Sequence, residues 1–445
     1  LQGKSKANIT TGYAKYATRT GFHTGVDWSC SAGTPILAVK AGTVVAGKIK
    51  AKVDSIVTIV ENESDMMELD DLDEEDAAKL AFDALEKGED TVEYLDYMEK
   101  DLFKITVILP KNSLLESKVR KKGVEVYPID GCYNKSFDMK SLPEYVMALK
   151  MLKPDIVNSH GCMNARIASR IIGVKASIFT RHCDFPIKEL YKNKFIKVIV
   201  GKMNLFLNDG IIAVSESAKR NLTDLGVKEN EITVIVNGSR KLNEMNEEEK
   251  SAVRKKLNLP QKVKIVSIFA RLEPYKDHRT LIAAARYLAS DKFCILIVGT
   301  GSIADELQQY AKSIGVEDRV RFLGFQEDIT EIMNVTDINV NCSIGTETSS
   351  LALSEGMSIG VPAIASDYAG NLYMVRNFEN GIIFKQGNYF ELAEKIKMLA
   401  QNSELYEKLS QNARKRFFEE LNAKSMTEKT QEYYKKIYNK THRNI

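Results

Sequence analysis

The chain has 445 residues, 44% of them hydrophobic and 28% charged, with a formal net charge of +3. That apolar content fills more than one core, and about 150 residues per domain gives roughly three domains. A net charge this small gives no ground for a nucleic-acid partner, no apolar run reaches the roughly 18 residues of a membrane-spanning helix, and the six dispersed cysteines read as reduced core thiols.

Residues 1–57 read as short strands and turns, with Pro35-Ile36-Leu37-Ala38-Val39 and Thr43-Val44-Val45-Ala46 set between glycines. Residues 58–103 read as an acidic linker. Glu61–Asp65 and Asp70–Asp76 are charge-dense, the mark of a solvated segment, and a short helix is expected over Ala77–Lys87, ended by Gly88. From Lys104 the texture becomes α/β. Strands are expected at 105–109, 124–129, 155–159, 176–180, 210–214 and 232–236, with helices such as Leu142–Leu152 between them. A second series follows at 264–269, 293–299, 320–324, 337–341 and 362–365. Strands alternating with helices imply parallel sheets joined by right-handed crossovers. Two series imply two doubly wound domains, 104–238 and 239–420, with 421–445 as a helix packing back on the first. Ligands of such folds sit at the carboxyl ends of the strands, so the cleft between the domains is the expected site.

Several segments carry chemistry. Glu347 and Glu355 stand eight positions apart, one in the loop after a strand and one on the helix that follows, a spacing suited to gripping neighbouring hydroxyls. Glu355 lies between Leu353 and Met357, and a carboxylate on so apolar a helix needs a partner. Arg271 and Lys276 follow a strand in Ala270-Arg271-Leu272-Glu273-Pro274-Tyr275-Lys276-Asp277, offering a planar fork and a point charge to phosphate oxygens. His160 ends one strand of the first series, and Arg181 and His182 end the next. Lysines 188, 192, 194, 197 and 202 interleave with Leu190, Phe195, Ile199 and Phe206. Such a stretch fits either a helix on an anionic membrane face or an ordinary helix with its apolar side in the core.

Taken in order, these segments resemble the retaining, nucleotide-sugar-dependent glycosyltransferases of the GT-B fold, in the large fourth family, over roughly residues 104–440. The supporting segments are Val214-Ser215-Glu216-Ser217, Val234–Gly238, the Arg271–Lys276 stretch, Leu296–Gly301, Arg321–Phe325 and the Glu347/Glu355 pair. Ala270 and Asp277 replace two glycines of the family's pattern. The resemblance implies a GT-B architecture, two Rossmann-like domains facing a cleft. It implies that Arg271 and Lys276 neutralise a diphosphate without a metal, and that Glu355 accepts from the donor ribose. Glu347 and His160 would lie by the sugar, with Gly299, Gly301, Ser349, Ser350 and Leu351 around the donor and backbone near Phe325 at the base. The implied donor is a UDP- or GDP-sugar and the acceptor a glycan or lipid-linked glycan. The implied setting is surface polysaccharide synthesis in a bacterial cytoplasm, at the inner face of the plasma membrane.

Two departures accompany this resemblance. Gly21-Phe22-His23-Thr24-Gly25-Val26-Asp27 followed by Ala32-Gly33-Thr34-Pro35 resembles the start of a lysostaphin-type zinc endopeptidase, which would make His23 and Asp27 vestigial zinc ligands; the later histidines of that family have no counterpart before His160. The acidic segment stands where the glycosyltransferase family has its opening strand and glycine-rich loop, so the first domain is expected to lack its first strand. A zinc peptidoglycan endopeptidase and a non-catalytic nucleotide-binding remnant are therefore the competing functions.

Overall fold

Runs of four to six apolar, largely β-branched residues suit parallel strands covered on both faces. A computed structural model describes strands 35–40, 43–48 and 56–60 and residues 93–442 apart from 112, 114, 131–136, 183, 185–186, 188 and 346. The chain divides into two units, Leu1–Asp54 and Ser55–Ile445. In the first, β1 (Pro35–Lys40) and β2 (Thr43–Lys48) pair antiparallel, Pro35 opposite Lys48. His23, Asp27 and the expected helix at 77–87 lie outside the described residues.

The second unit holds two parallel sheets. One has the order β5-β4-β3-β6-β7-β8-β9. Its strands are β3 (Ile56–Val60), β4 (Ile105–Pro110), β5 (Glu125–Ile129), β6 (Ile156–His160), β7 (Ala176–Arg181), β8 (Gly210–Ala213) and β9 (Ile232–Val234). The other has the order β12-β11-β10-β13-β14-β15. It is built from β10 (Lys264–Phe269), β11 (Phe293–Val298), β12 (Val320–Gly324), β13 (Ile338–Asn341), β14 (Ala363–Ser366) and β15 (Gly381–Phe384). This is the doubly wound pair expected from the sequence, and it matches the GT-B architecture. All six residues of β11 are buried, as a central parallel strand requires.

One expectation is corrected. The first sheet does not lack its opening strand: Ile56–Val60 lies between β4 and β6, parallel to both, with Ile56 opposite Ile105 and Ile156. The run Ile-Val-Thr-Ile-Val is what a strand covered on both faces reads like. The acidic residues directly after it disguised it as the edge of a linker. The linker also ends earlier than 103. Tyr94, Leu95, Met98 and Phe103 are buried, and the Glu99 N–H donates to Gln431 Oε1 at 2.9 Å.

In each sheet the strand order reverses beside the first strand, between β3 and β6 and between β10 and β13. The crevice at the carboxyl ends of such a pair is where doubly wound folds take ligands. Helix α1 (Met163–Ile172) packs on β6 and β7, α2 (Lys194–Leu207) beside α1, and α3 (Glu216–Asp224) on β8 and β9. Helix α4 (Leu351–Ser358) follows β13 after a loop. Helix α5 (Ala423–His442) returns to the first sheet, where Tyr433 OH accepts from the Ile211 N–H at 2.9 Å. The chain crosses between the sheets at 237–240 and again at 417–423. The two crossings are zipped together, Ser239 N–H to Leu421 O at 3.0 Å and Ala423 N–H to Ser239 O at 2.9 Å. A Cβ on Gly238 would come within 2.2 Å of the Asn422 carbonyl oxygen, so only glycine allows this contact.

Candidate active site

The carboxyl end of β10 delivers Ala270-Arg271-Leu272 and then a 3₁₀ turn over Pro274–Lys276. The next residue, Asp277, takes left-handed backbone angles, φ 47 and ψ 48. A glycine is the usual occupant of that conformation, and aspartate is one of the few others that tolerate it. Here it also caps the following helix, accepting from the Thr280 N–H at 3.3 Å. The replacement of the family's second glycine is thus sterically accounted for.

Glycines hold this loop against the one after β11. A Cβ on Gly299, φ 140, would lie 2.1 Å from the Ala270 carbonyl oxygen, and one on Gly301 would lie 2.5 Å from that of Leu272. The Leu272 N–H donates to Thr300 O at 2.9 Å across the same contact. Gly299 and Gly301 therefore bring the two loops together.

The Arg271 guanidinium donates through Nη2 to Tyr275 OH and lies 5.6 Å from the Tyr275 ring centroid; Lys276 Nζ lies 5.8 Å from the same ring. The tyrosine holds two cations at one place. Lys276 Nζ donates to Glu347 Oε2 at 2.9 Å. Asn341 Nδ2, on the last residue of β13, and Ser343 Oγ each donate to the same oxygen at 3.1 Å. Burial of Glu347 pushes its carboxyl up, but the Lys276 ammonium and these hydrogen bonds outweigh it and hold the group below its ordinary value. Among the described residues none donates to Oε1, the oxygen left for a ligand hydroxyl.

Ser350 caps α4, its Oγ accepting from the Leu353 N–H at 3.4 Å. Ser349 Oγ is buried without a hydrogen-bond partner among the described residues. An orphaned hydroxyl beside a helix N-terminus suits an anionic ligand. Leu351 opens the helix. One turn on, Glu355 accepts from Arg240 Nε at 3.2 Å, and Arg240 Nη2 donates to Asp328 Oδ1 at 2.9 Å. Arg240 is the partner that Glu355 needed, and it comes from the crossing between the domains. Phe325 follows the end of β12 and is 47% exposed.

The first domain contributes His160, the last residue of β6, and it is buried. Its Nδ1 lies 2.7 Å from His182 Nε2, and its Nε2 lies 3.1 Å from Asn158 Nδ2. Thr180 Oγ1 donates to Asn158 Oδ1 at 2.9 Å, so the amide directs its two hydrogens at His160 Nε2 and at Tyr434 OH, 2.7 Å away. That assignment makes His160 Nε2 an acceptor and gives the proton to Nδ1, which donates to His182. Burial, reinforced by His182, holds the His160 imidazole well below its ordinary value, so it is neutral at pH 7. A cavity of about 30 Å³, room for a water, lies against Asn158, His160, His182 and Tyr434.

The two halves meet here. Thr348 Oγ1 donates to the His182 carbonyl at 2.8 Å, linking the Glu347 loop of the second domain to the first domain's histidine pair. Arg181 turns away and donates to Asn221 Oδ1 at 2.9 Å. Tyr275, Arg240, Thr348, Asn158 and Tyr434 escaped the reading of the sequence. Only Asn158, at a strand's carboxyl end, carried a local signal. Among the described residues no three His, Cys, Asp or Glu side chains cluster as metal ligands.

Comparison with known proteins bears on the family and the fold. The profile "Glycosyltransferase Family 4" matches residues 91–239, and "Glycosyl transferases group 1" matches 249–416. An Escherichia coli UDP-Gal:alpha-D-GlcNAc-diphosphoundecaprenol alpha-1,3-galactosyltransferase is 29% identical over 261 residues, 56% of this chain and 67% of that protein. The Staphylococcus aureus capsular polysaccharide biosynthesis glycosyltransferase CapM is 27% identical over 323 residues, 67% of this chain and 80% of its own. The fold also matches the crystal structure of Anabaena HepE in complex with UDP, with a TM-score of 0.68 and 17% identity over 86% of this chain and 99% of that one.

Proposed function

Starting from the premise that this chain is a glycosyltransferase of the GT-B fold, we propose that it moves a sugar from a UDP- or GDP-sugar, with retention and without a metal, to a glycan or lipid-linked acceptor. The proposed setting is bacterial surface polysaccharide synthesis on the cytoplasmic side of the membrane. The observation that carries this reading is the convergence of Arg271, Lys276 and the α4 N-terminus with the His160–His182 pair around Glu347. The relatives support the acceptor class, since one is named for a diphosphoundecaprenol-linked sugar and another for capsular polysaccharide. The UDP-bound neighbour supports the donor class.

Cleavage of the donor's anomeric C–O bond leaves charge on the diphosphate, and fixed cations stabilise it most where water is excluded. Arg271 and Lys276 are such cations, and the α4 amides and Ser349 Oγ–H follow directly after Glu347, which Lys276 contacts. Donor phosphates would draw Lys276 from Glu347, or share it. Glu355, already oriented by Arg240, would accept from the ribose. A neutral His160, bonded through both ring nitrogens, serves as a fixed wall for the sugar and sets the backbone at Gly161, whose φ is 81. With β3 in place, one ground for reading the chain as a remnant, the missing opening strand, is gone, and nothing among the described residues supports a peptidase.

Turnover of UDP- and GDP-sugars by the purified chain tests the proposal. Arg271→Ala and Glu355→Ala are each expected to lower kcat/KM by about 10²–10³. Unchanged turnover in both variants, with an intact fold, sinks the assignment. EDTA is expected to leave the rate unaltered, and a rate restored only by added divalent ions refutes the metal-free part alone.

A further inference from the structure

Asn371 is fully buried in the helix Ala369–Met374, which follows β14 and packs against the Glu347 loop. The Gly370 N–H donates to the Glu347 carbonyl at 3.2 Å. A Cβ on Gly370 would lie 2.4 Å from the Thr348 carbonyl oxygen and 2.6 Å from that of Glu347, so the approach requires glycine. This contact brings the Asn371 amide beside the residues that bond the Glu347 carboxylate.

The hydrogen bonds around Asn371 have one allowed direction. The Ser343 N–H can only donate, so the Asn341 atom it meets at 3.0 Å is Oδ1. Asn341 Nδ2 is then the group that donates to Glu347 Oε2 at 3.1 Å. Asn371 Nδ2 gives Asn341 Oδ1 a second donor, at 3.2 Å, and also donates to Ser366 Oγ at 2.9 Å. Having accepted there, Ser366 Oγ gives its proton to the Ser343 carbonyl at 2.5 Å. Ser343 Oγ in turn donates to Glu347 Oε2 at 3.1 Å. Both neutral donors of Glu347 thus trace back to one amide, by two routes. The amide's own Oδ1 is buried with no hydrogen-bond partner among the described residues. A small apolar residue at this place would avoid the cost of that unpaired carbonyl, and would lose both donations.

We propose that Asn371 is a positioning residue: its two donations aim Asn341 and Ser343 at one oxygen of Glu347 and fix the plane of the carboxylate that meets the donor sugar. The assignment deepens the transferase reading and rests on it for the sugar, while the relay itself needs no ligand. Lys276, from the loop after β10, is the charged group that faces Glu347. Burial raises the Glu347 carboxyl; Lys276, then the Asn341 and Ser343 donors, bring it below its ordinary value. Loosening the relay therefore moves its titration up.

Carbon NMR titration of the full chain with labelled glutamate carboxyls tests this alongside donor turnover, the Glu347 signal being assigned by its loss in Glu347→Gln. In Asn371→Ala, Glu347 is expected to titrate at higher pH than in the parent, and kcat to fall about fivefold with the donor KM unchanged. Ser366→Ala cuts one route at the loss of a single oxygen and is expected to shift Glu347 the same way by less; it carries the test if Asn371→Ala does not fold. Asn380→Ala removes another buried amide, one bonded to the Arg376 N–H and to the Met374 carbonyl at the end of the same helix. It is expected to leave the Glu347 titration and kcat as in the parent. An unmoved Glu347 titration in Asn371→Ala, or in Ser366→Ala where the first does not fold, overturns the inference. So does an equal shift in Asn380→Ala, or a shifted titration with kcat intact. If the titrations follow the expected pattern while no form turns over any donor, the transferase reading fails and the relay stands.

Discussion

Three donors share one oxygen of Glu347, and one of them is an ammonium 2.9 Å away with its side chain only 13% exposed. Removing that ammonium leaves a buried carboxylate with two neutral donors. Lys276→Met is expected to cost about 3 kcal/mol at pH 7 by urea midpoint. The pH dependence has a definite sign. With Lys276 present, the Glu347 folded-state value lies below its unfolded one, so its contribution is present above the unfolded value and lost as pH falls through the folded one. In the variant, burial without the ammonium raises the folded value, so its contribution is present at low pH and lost as pH rises. The difference between parent and variant therefore shrinks on acidification from pH 7 to 5. A difference that grows over that range contradicts this account. Glu347, Glu355 and Lys276 were legible in the sequence through their spacing taken together with the family resemblance. The sequence concealed Arg240, because the pair with Glu355 spans 115 residues and no local periodicity reports it.

At the scale of elements, apolar runs and their punctuation located both series of strands to within a residue or two. The strand at Ile56–Val60 was hidden by the composition after it, and β15 (Gly381–Phe384) passed unnoticed. Helix α2 was legible as basic and amphipathic, but periodicity does not say which face is covered. Gly201 decides that through a contact 25 positions away in sequence. The turn before the Thr280 helix offers a test of local reasoning. Asp277→Val forces a β-branched residue into left-handed angles and deletes the cap, and is expected to destabilise by about 2–3 kcal/mol, while Asp277→Asn stays within about 0.5. Equal melting temperatures for the two variants would contradict that assignment.

At the scale of the molecule, the site is shared between distant parts of the chain. Tyr434 on α5 meets Asn158, which meets His160, which meets His182, whose carbonyl accepts from Thr348 of the other domain. Tyr434 reaches His160 through Asn158, which makes it a candidate positioning residue. Tyr434→Phe is expected to lower kcat about fivefold, worth ~1 kcal/mol, with the donor KM unchanged. A fall in melting temperature with kcat intact would assign the tyrosine to packing alone.

The contact between Asn158 and Tyr434 spans 276 residues. On a ribosome adding about 5–20 residues per second, Asn158 emerges tens of seconds before its partner exists. During that interval the Asn158 amide lacks its Tyr434 partner and is held by Thr180 and His160 alone. The bond that Asn158 makes to Tyr434 therefore forms only after both sheets have been synthesised.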